Sequence, residues 1–129
     1  MDFSHATAGQ QLLQTATVLF AIGALGGVVM AAIRFGRAAN PPAWLAMLHG
    51  LLAAAGLTLT GYAVFAHNAN GTAPSAFGLL CIAAVGGAVL SLRYKWNRIL
   101  LPAWLVVTHA LAALGGFVLL AYGAYFASA

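Results

Sequence analysis

Pro42-Ala43-Trp44-Leu45, with a histidine at position 49, returns sixty residues later as Pro102-Ala103-Trp104-Leu105 with a histidine at position 109. The register holds on both sides. Ile22/Ile82, Ala24/Ala84, Gly26/Gly86, Gly27/Gly87 and Val29/Val89 precede the motif, and Leu51/Leu111, Ala53/Ala113, Gly56/Gly116, Leu59/Leu119 and Tyr62/Tyr122 follow it. A fixed period of this kind marks an internal duplication, in which each unit repeats one local arrangement. The halves cover about 11–67 and 75–127 of a single transmembrane domain, 1–129. Each contributes one histidine at the same point.

Of the 129 residues, 64% are hydrophobic and 5% charged, and the mean hydropathy is +0.98. A water-soluble domain carries about 25% charged residues, so the principal solvent of this chain is lipid. The apolar residues fall into four blocks, 11–33, 42–66, 75–92 and 102–126. Each approaches or exceeds the ~20 residues a helix needs to cross a ~30 Å hydrocarbon core. The alternating ten-residue segments of a membrane β-barrel are missing. The expected fold is an all-α membrane protein, a four-transmembrane-helix bundle built from an internal two-helix repeat.

Arg34 and Arg37 follow the first block; Arg93, Lys95 and Arg98 follow the third. The connection 67–75 and the two ends carry no lysine or arginine. Because these residues bias short loops toward the cytoplasm, loops 34–41 and 93–101 are expected inside and both termini outside, in a multi-pass protein of a bacterial-type inner (plasma) membrane. The formal charge of +4 belongs to those loops and implies no nucleic acid. Met1 to His5 lacks a basic region and does not resemble a cleaved signal peptide. The single cysteine, Cys81, matched by Ala21, forms no internal disulfide and reads as a packing residue.

Asn40-Pro41-Pro42 ends one helix and starts the next, since proline suits the first turn of a helix and disfavours helix in the residue before it. Trp44 and Trp104 fall at headgroup depth, where indoles anchor. His49 and His109 each come seven residues after a proline, ~10 Å along the helix. Gly27 lies seven residues before Arg34 and Gly87 six before Arg93, so all four positions share a depth in the inner half of the bilayer. Stepping from His49 gives Leu52, Ala53, Gly56 and Thr60; from His109, Ala112, Ala113 and Gly116. Both are faces of mostly small residues.

An imidazole in hydrocarbon must find a partner, and a transition metal is a good one. Two histidines are too few for zinc, which takes four ligands or three and water. They do supply both axial positions of a haem, giving His49 and His109 as metal ligands. Gly26, Gly27, Gly86 and Gly87 on the other two helices would make room for a flat macrocycle. Arg34, Arg37, Arg93, Lys95 and Arg98 would meet the two propionates of haem b, arginine bidentately. The second ring nitrogen of each histidine is expected to donate to a carbonyl one turn back, near Leu45 or Leu105.

Histidines on helices two and four, with paired glycines on one and three, resemble the four-helix haem-binding core of b-type cytochromes. The resemblance is one of arrangement and spans most of the chain. In the large respiratory members each ligand helix carries two histidines thirteen or fourteen residues apart. Here those places hold Tyr62 or Ala63 and Tyr122 or Gly123. The resemblance therefore implies one haem per bundle, near the inner face.

These readings combine into a membrane b-type cytochrome that transfers electrons from a quinol or soluble donor to an acceptor, as a carrier or as a quinone-linked oxidoreductase. Tyr94 and Trp96 are candidates to line a quinone approach, and a redox partner protein or a homodimer sharing ligands between chains fits the same residues. The competing reading is a cofactor-free accessory or scaffold subunit. In it the histidines bond between helices, the glycines pack helices, and the basic residues meet anionic lipid. A small transporter is the third, set against the lack of any charged residue within a span. His5 and His67 lie on the outer side.

Overall fold

The computed structural model describes residues 7–127; Asp2 and His5 lie outside them. The chain forms α1 (Ala8–Arg37), α2 (Ala43–Ala66), α3 (Ala73–Val89), a π-helical turn (Leu90–Lys95) that continues α3, and α4 (Ala103–Tyr125). All four spans, counting Ala73–Lys95 as one, are long and apolar enough to cross a membrane. At 1.5 Å per residue even the shorter ones reach ~34 Å. In this multi-pass membrane protein the helices alternate in direction. Loops 38–42 and 96–102 lie at one end, the basic end, and the turn 67–72 lies at the far end.

Helix starts follow the sequence signals. The Thr7 side chain accepts a hydrogen bond from the Gln10 amide at 3.2 Å, capping α1. Pro42 and Pro102 cap α2 and α4 with extended backbone, φ −64° and −67°, as their fixed rings allow. The first span is longer than its apolar block. Arg34 and Arg37 belong to the last turn of α1 rather than to a loop, where positive charge faces the negative end of the helix dipole. Ala38 and Arg98, sixty residues apart, both adopt left-handed backbone, φ 48° and 57°. A side chain there costs roughly 1–2 kcal/mol, and both halves use the conformation to reverse direction before proline.

α1 packs on α2 and α3 on α4; α1 against α4 and α2 against α3 close the ring. α2 and α4 thus face each other diagonally. Between α1 and α2, Gly56 lies so close to Phe20 that a Cβ would stand 2.7 Å from the ring. Sixty residues on, a Cβ on Gly116 would stand 2.7 Å from Leu80 Cγ. Where water is absent, such close backbone approach is a main source of helix association. Large apolar side chains, among them Leu25, Met47, Phe65, Val85 and Leu111, face outward, as lipid permits.

Two apolar clusters form the core. The larger, at the far end, joins Leu13, Ala16, Ala63, Ala73, Ala76, Leu80, Leu120 and Ala124. The smaller, at the basic end, consists of Leu90, Leu101 and Val106. The interval between them contains the two histidines.

Candidate functional site: a facing pair of imidazoles

His49 and His109 come from the diagonal helices, and their ring centres stand 6.2 Å apart with planes crossed at 72°. Both rings are half-buried. His49 Nδ1 lies 2.8 Å from the Gly23 carbonyl oxygen on α1; His109 Nδ1 lies 2.7 Å from the Ala83 carbonyl oxygen on α3. Gly23 and Ala83 are again sixty residues apart. Each half of the duplication supplies a ring and the acceptor that holds it.

The second ring nitrogen was expected to bond within its own helix, near Leu45 or Leu105. The bond crosses to the neighbouring helix instead. Carbonyls on either helix already accept the helical ladder; Gly23 and Ala83, small and buried, let the ring approach the facing backbone and share the acceptor.

These bonds fix the tautomer. A carbonyl oxygen only accepts, so each Nδ1 carries the proton and donates it; in the neutral ring Nε2 then keeps its lone pair. No Nε2 hydrogen bond forms among the described residues. Two imidazoles bound end-on to opposite sides of one metal have centres about 6.4 Å apart, counting about 2 Å per bond and about 1.2 Å from nitrogen to ring centre. The observed separation of 6.2 Å, between rings set edge-on, is close to that value.

The paired glycines divide their work. A Cβ on Gly27 would stand 3.2 Å from His49 Cε1, and one on Gly87 would stand 3.1 Å from His109 Cε1. Gly26 and Gly86 leave ordinary contact distances, 3.7 Å to Leu45 Cδ1 and 3.6 Å to His109 Cβ. The second glycine of each pair admits the imidazole of its own half, and the first admits the flank of the helix bearing it.

The five cations split into two groups. Arg34 Nε donates to the Leu101 carbonyl at 2.6 Å, and Lys95 Nζ donates to the Pro41 carbonyl. Asn40 completes this tie between the two loops, donating from Nδ2 to the Ile99 carbonyl at 2.9 Å and accepting from the Leu101 amide at 3.0 Å. Arg37, Arg93 and Arg98 are exposed. Asn97 Nδ2 donates to the Leu92 and Arg93 carbonyls and closes the end of the π turn.

Among the described residues no three His, Cys, Asp or Glu side chains come together, so the pair has no further protein ligand of these types for a tetrahedral ion. Cys81 is half-buried on α3, and His67 lies at the far end, its ring 5.2 Å from that of Tyr62. Sequence reasoning missed Gly23 and Ala83. Their signal was present, a small residue four positions before Gly27 and before Gly87.

Fold and site together define a four-span membrane bundle in which one imidazole from each half meets the other edge-on. No family model, curated protein or solved structure matches the chain.

Proposed function

We propose that the protein is a membrane b-type cytochrome that holds one haem b between His49 and His109 and passes electrons from a quinol or soluble donor to an acceptor. The observation that carries this reading is the 6.2 Å separation of two rings whose Nδ1 atoms are both committed to backbone carbonyls. That arrangement leaves two lone pairs and only two. A macrocycle that brings four nitrogens of its own would supply the ligands this pair lacks.

In this reading a haem held by His49 and His109 would supply one-electron chemistry. The protein's part is to hold and insulate. Gly23 and Ala83 orient the ligands through their carbonyls, and Nδ1–H donation makes each imidazole a stronger donor. The basic end supplies charge for the propionates. Arg34, with Nε engaged, offers its terminal nitrogens; Arg37, Arg93 and Arg98 are exposed, and Lys95 borders them. Arg34 and Arg37 in the last turn of α1, Arg93 and Lys95 in the π turn and Arg98 just after it favour a cytoplasmic basic end, with both chain ends on the outer side of a bacterial-type inner membrane. Tyr94, within the π turn, and Trp96, which caps it, are the residues proposed for quinone approach, and a redox partner protein or a second copy of the chain are the partners this reading allows.

The test is spectroscopic. Protein purified from cells supplied with haem precursor should show a Soret band, with visible bands that sharpen on reduction by dithionite. His49→Ala and His109→Ala should each abolish them, whereas His67→Ala should not. A colourless protein that also takes up no added haem, or bands that survive both His49→Ala and His109→Ala, would sink the proposal.

A further inference from the structure

The two basic-end loops differ in what they show to the membrane. Arg93, Trp96, Arg98 and Ile99 stand where the sixty-residue offset puts Ile33, Gly36, Ala38 and Ala39 in the first half. All four are exposed, Trp96 at 81%, so the second loop carries bulk and charge that the first lacks. Its shape is held from within. In a π turn the bonds join residues five apart: the Trp96 amide donates to the Ser91 carbonyl and the Ile99 amide to the Tyr94 carbonyl, both at 2.8 Å. Asn97 Nδ2 adds bonds to the Leu92 and Arg93 carbonyls at 3.1 and 2.9 Å. The loop is also held from behind, where Lys95 Nζ donates to the Pro41 carbonyl and the Ile99 carbonyl accepts from Asn40. One side of the loop is thus committed to the first hairpin, and Arg93, Trp96 and Arg98 remain on the surface.

These charges have no counter-ion at their end of the chain. Asp2, the one acidic residue of the sequence, precedes α1, which starts at the far end. Of the five cations at the basic end, two haem propionates would still leave three without a negative partner. All three tryptophans, Trp44, Trp96 and Trp104, lie at this end and are exposed, and indoles settle at the headgroup level of a bilayer. The loop therefore meets the membrane at the depth of the lipid phosphates. Guanidinium pairs with phosphate through two parallel N–H···O bonds.

We infer that the second basic-end loop is a docking surface for an anionic phospholipid. Arg93 and Arg98 take the phosphate, Trp96 lies beside the glycerol, and Ile99 meets the top of an acyl chain. The first loop is not such a surface, because Gly36, Ala38 and Ala39 give Arg37 neither an indole nor a second free guanidinium. The inference stands with or without haem.

The experiment uses the full chain in vesicles of equal parts phosphatidylcholine and phosphatidylglycerol. Trp44→Phe and Trp104→Phe leave Trp96 as the only tryptophan. Bromine, which quenches indole fluorescence on contact, is placed on the acyl chains of one lipid in one preparation and of the other lipid in a second. Both membranes then carry the same surface charge, and any dimming by bound haem cancels in the ratio. Brominated phosphatidylglycerol should quench Trp96 more strongly than brominated phosphatidylcholine. Arg93→Gln and Arg98→Gln should each reduce the derived preference roughly fivefold, the worth of one cation at an anionic surface, whereas Arg37→Gln should leave it unchanged. If one glutamine variant fails to insert, the other carries the comparison. Equal quenching by the two lipids overturns the inference. So does a loss with Arg37→Gln as large as that with Arg93→Gln, which would mean diffuse attraction to the whole basic end.

Discussion

Gly115 and Gly116 are neighbours on α4, and alanine at the two positions should have opposite results. At Gly115 a new Cβ meets only Leu79 Cδ1, at 3.5 Å, the tip of a side chain at ordinary contact distance. At Gly116 it meets Leu80 Cγ at 2.7 Å, Cδ2 at 2.9 Å and the Leu80 backbone nitrogen at 3.2 Å. Carbon atoms rest about 3.5–4.0 Å apart, so the methyl is roughly 1 Å too close to a branch point that is itself 4% exposed. Leu80 cannot swing away without striking the far-end core, and its backbone blocks the alternative. The helices must separate. Overpacking of this kind costs about 1–3 kcal/mol. Alanine's helix preference over glycine returns about 0.8–1.0 kcal/mol at either position, so it cancels in the difference between the two variants. Gly116→Ala should therefore be less stable than Gly115→Ala by about 1–3 kcal/mol. Unfolding in mixed micelles of increasing dodecyl sulfate fraction, followed by tryptophan fluorescence, measures that difference. Equal midpoints for the two variants would refute the α3–α4 packing described above.

Three further outcomes follow from the geometry. Asn40→Ala removes the two bonds that Asn40 contributes to the tie between the basic-end loops; at about 1–3 kcal/mol for a stranded partner, the Leu101 amide should exchange with solvent roughly tenfold faster or more. An unchanged rate would show that the tie rests on Arg34 and Lys95 alone. Gln14 is buried with Oε1 unpartnered among the described residues, while the Ala124 carbonyl it donates to also accepts from Gln10. Gln14→Leu should therefore leave micelle stability equal or raise it by up to about 1–2 kcal/mol, and a loss of that size would contradict it. Finally, in a Cys81→Ala background, Asn70→Cys and Trp96→Cys should react with an impermeant maleimide from opposite sides of sealed vesicles, position 96 from the cytoplasmic side. Labelling from one common side would refute the four-span topology.

Much of this was legible in the residues. Four spans follow from hydropathy alone, and the sixty-residue period puts His49 and His109 on parallel helices at one depth; the structure has both features and brings the rings together. Helix ends were less legible. Arg34 and Arg37 were assigned to a loop because they are charged, yet a helix leaving the membrane keeps its hydrogen bonds and welcomes cations at its last turn. The acceptors of the imidazoles were misplaced for a different reason. Periodicity says which residues share a face, but not which backbone carbonyl across the interface comes within reach. That depends on how near two helices approach, and so on Gly23 and Ala83 being small. The π turn at Leu90–Lys95 has no counterpart in α1, and nothing in the structure explains why the second half adopts it.

The sixty-residue offset recurs in hydrogen bonds as well as in letters: ring 49 to carbonyl 23, ring 109 to carbonyl 83. Each hairpin thus completes its own half of the grip without borrowing from the other. Two unlinked copies of one ancestral hairpin, related by a twofold axis along the membrane normal, would have closed the same grip as a homodimer. Tethering them in one polypeptide removes the requirement that both be identical. The halves now differ at the basic end, Arg34 against Tyr94 and an α-helical end against a π turn, and deeper in the bundle, where Phe20 packs on Gly56 in one half and Leu80 on Gly116 in the other.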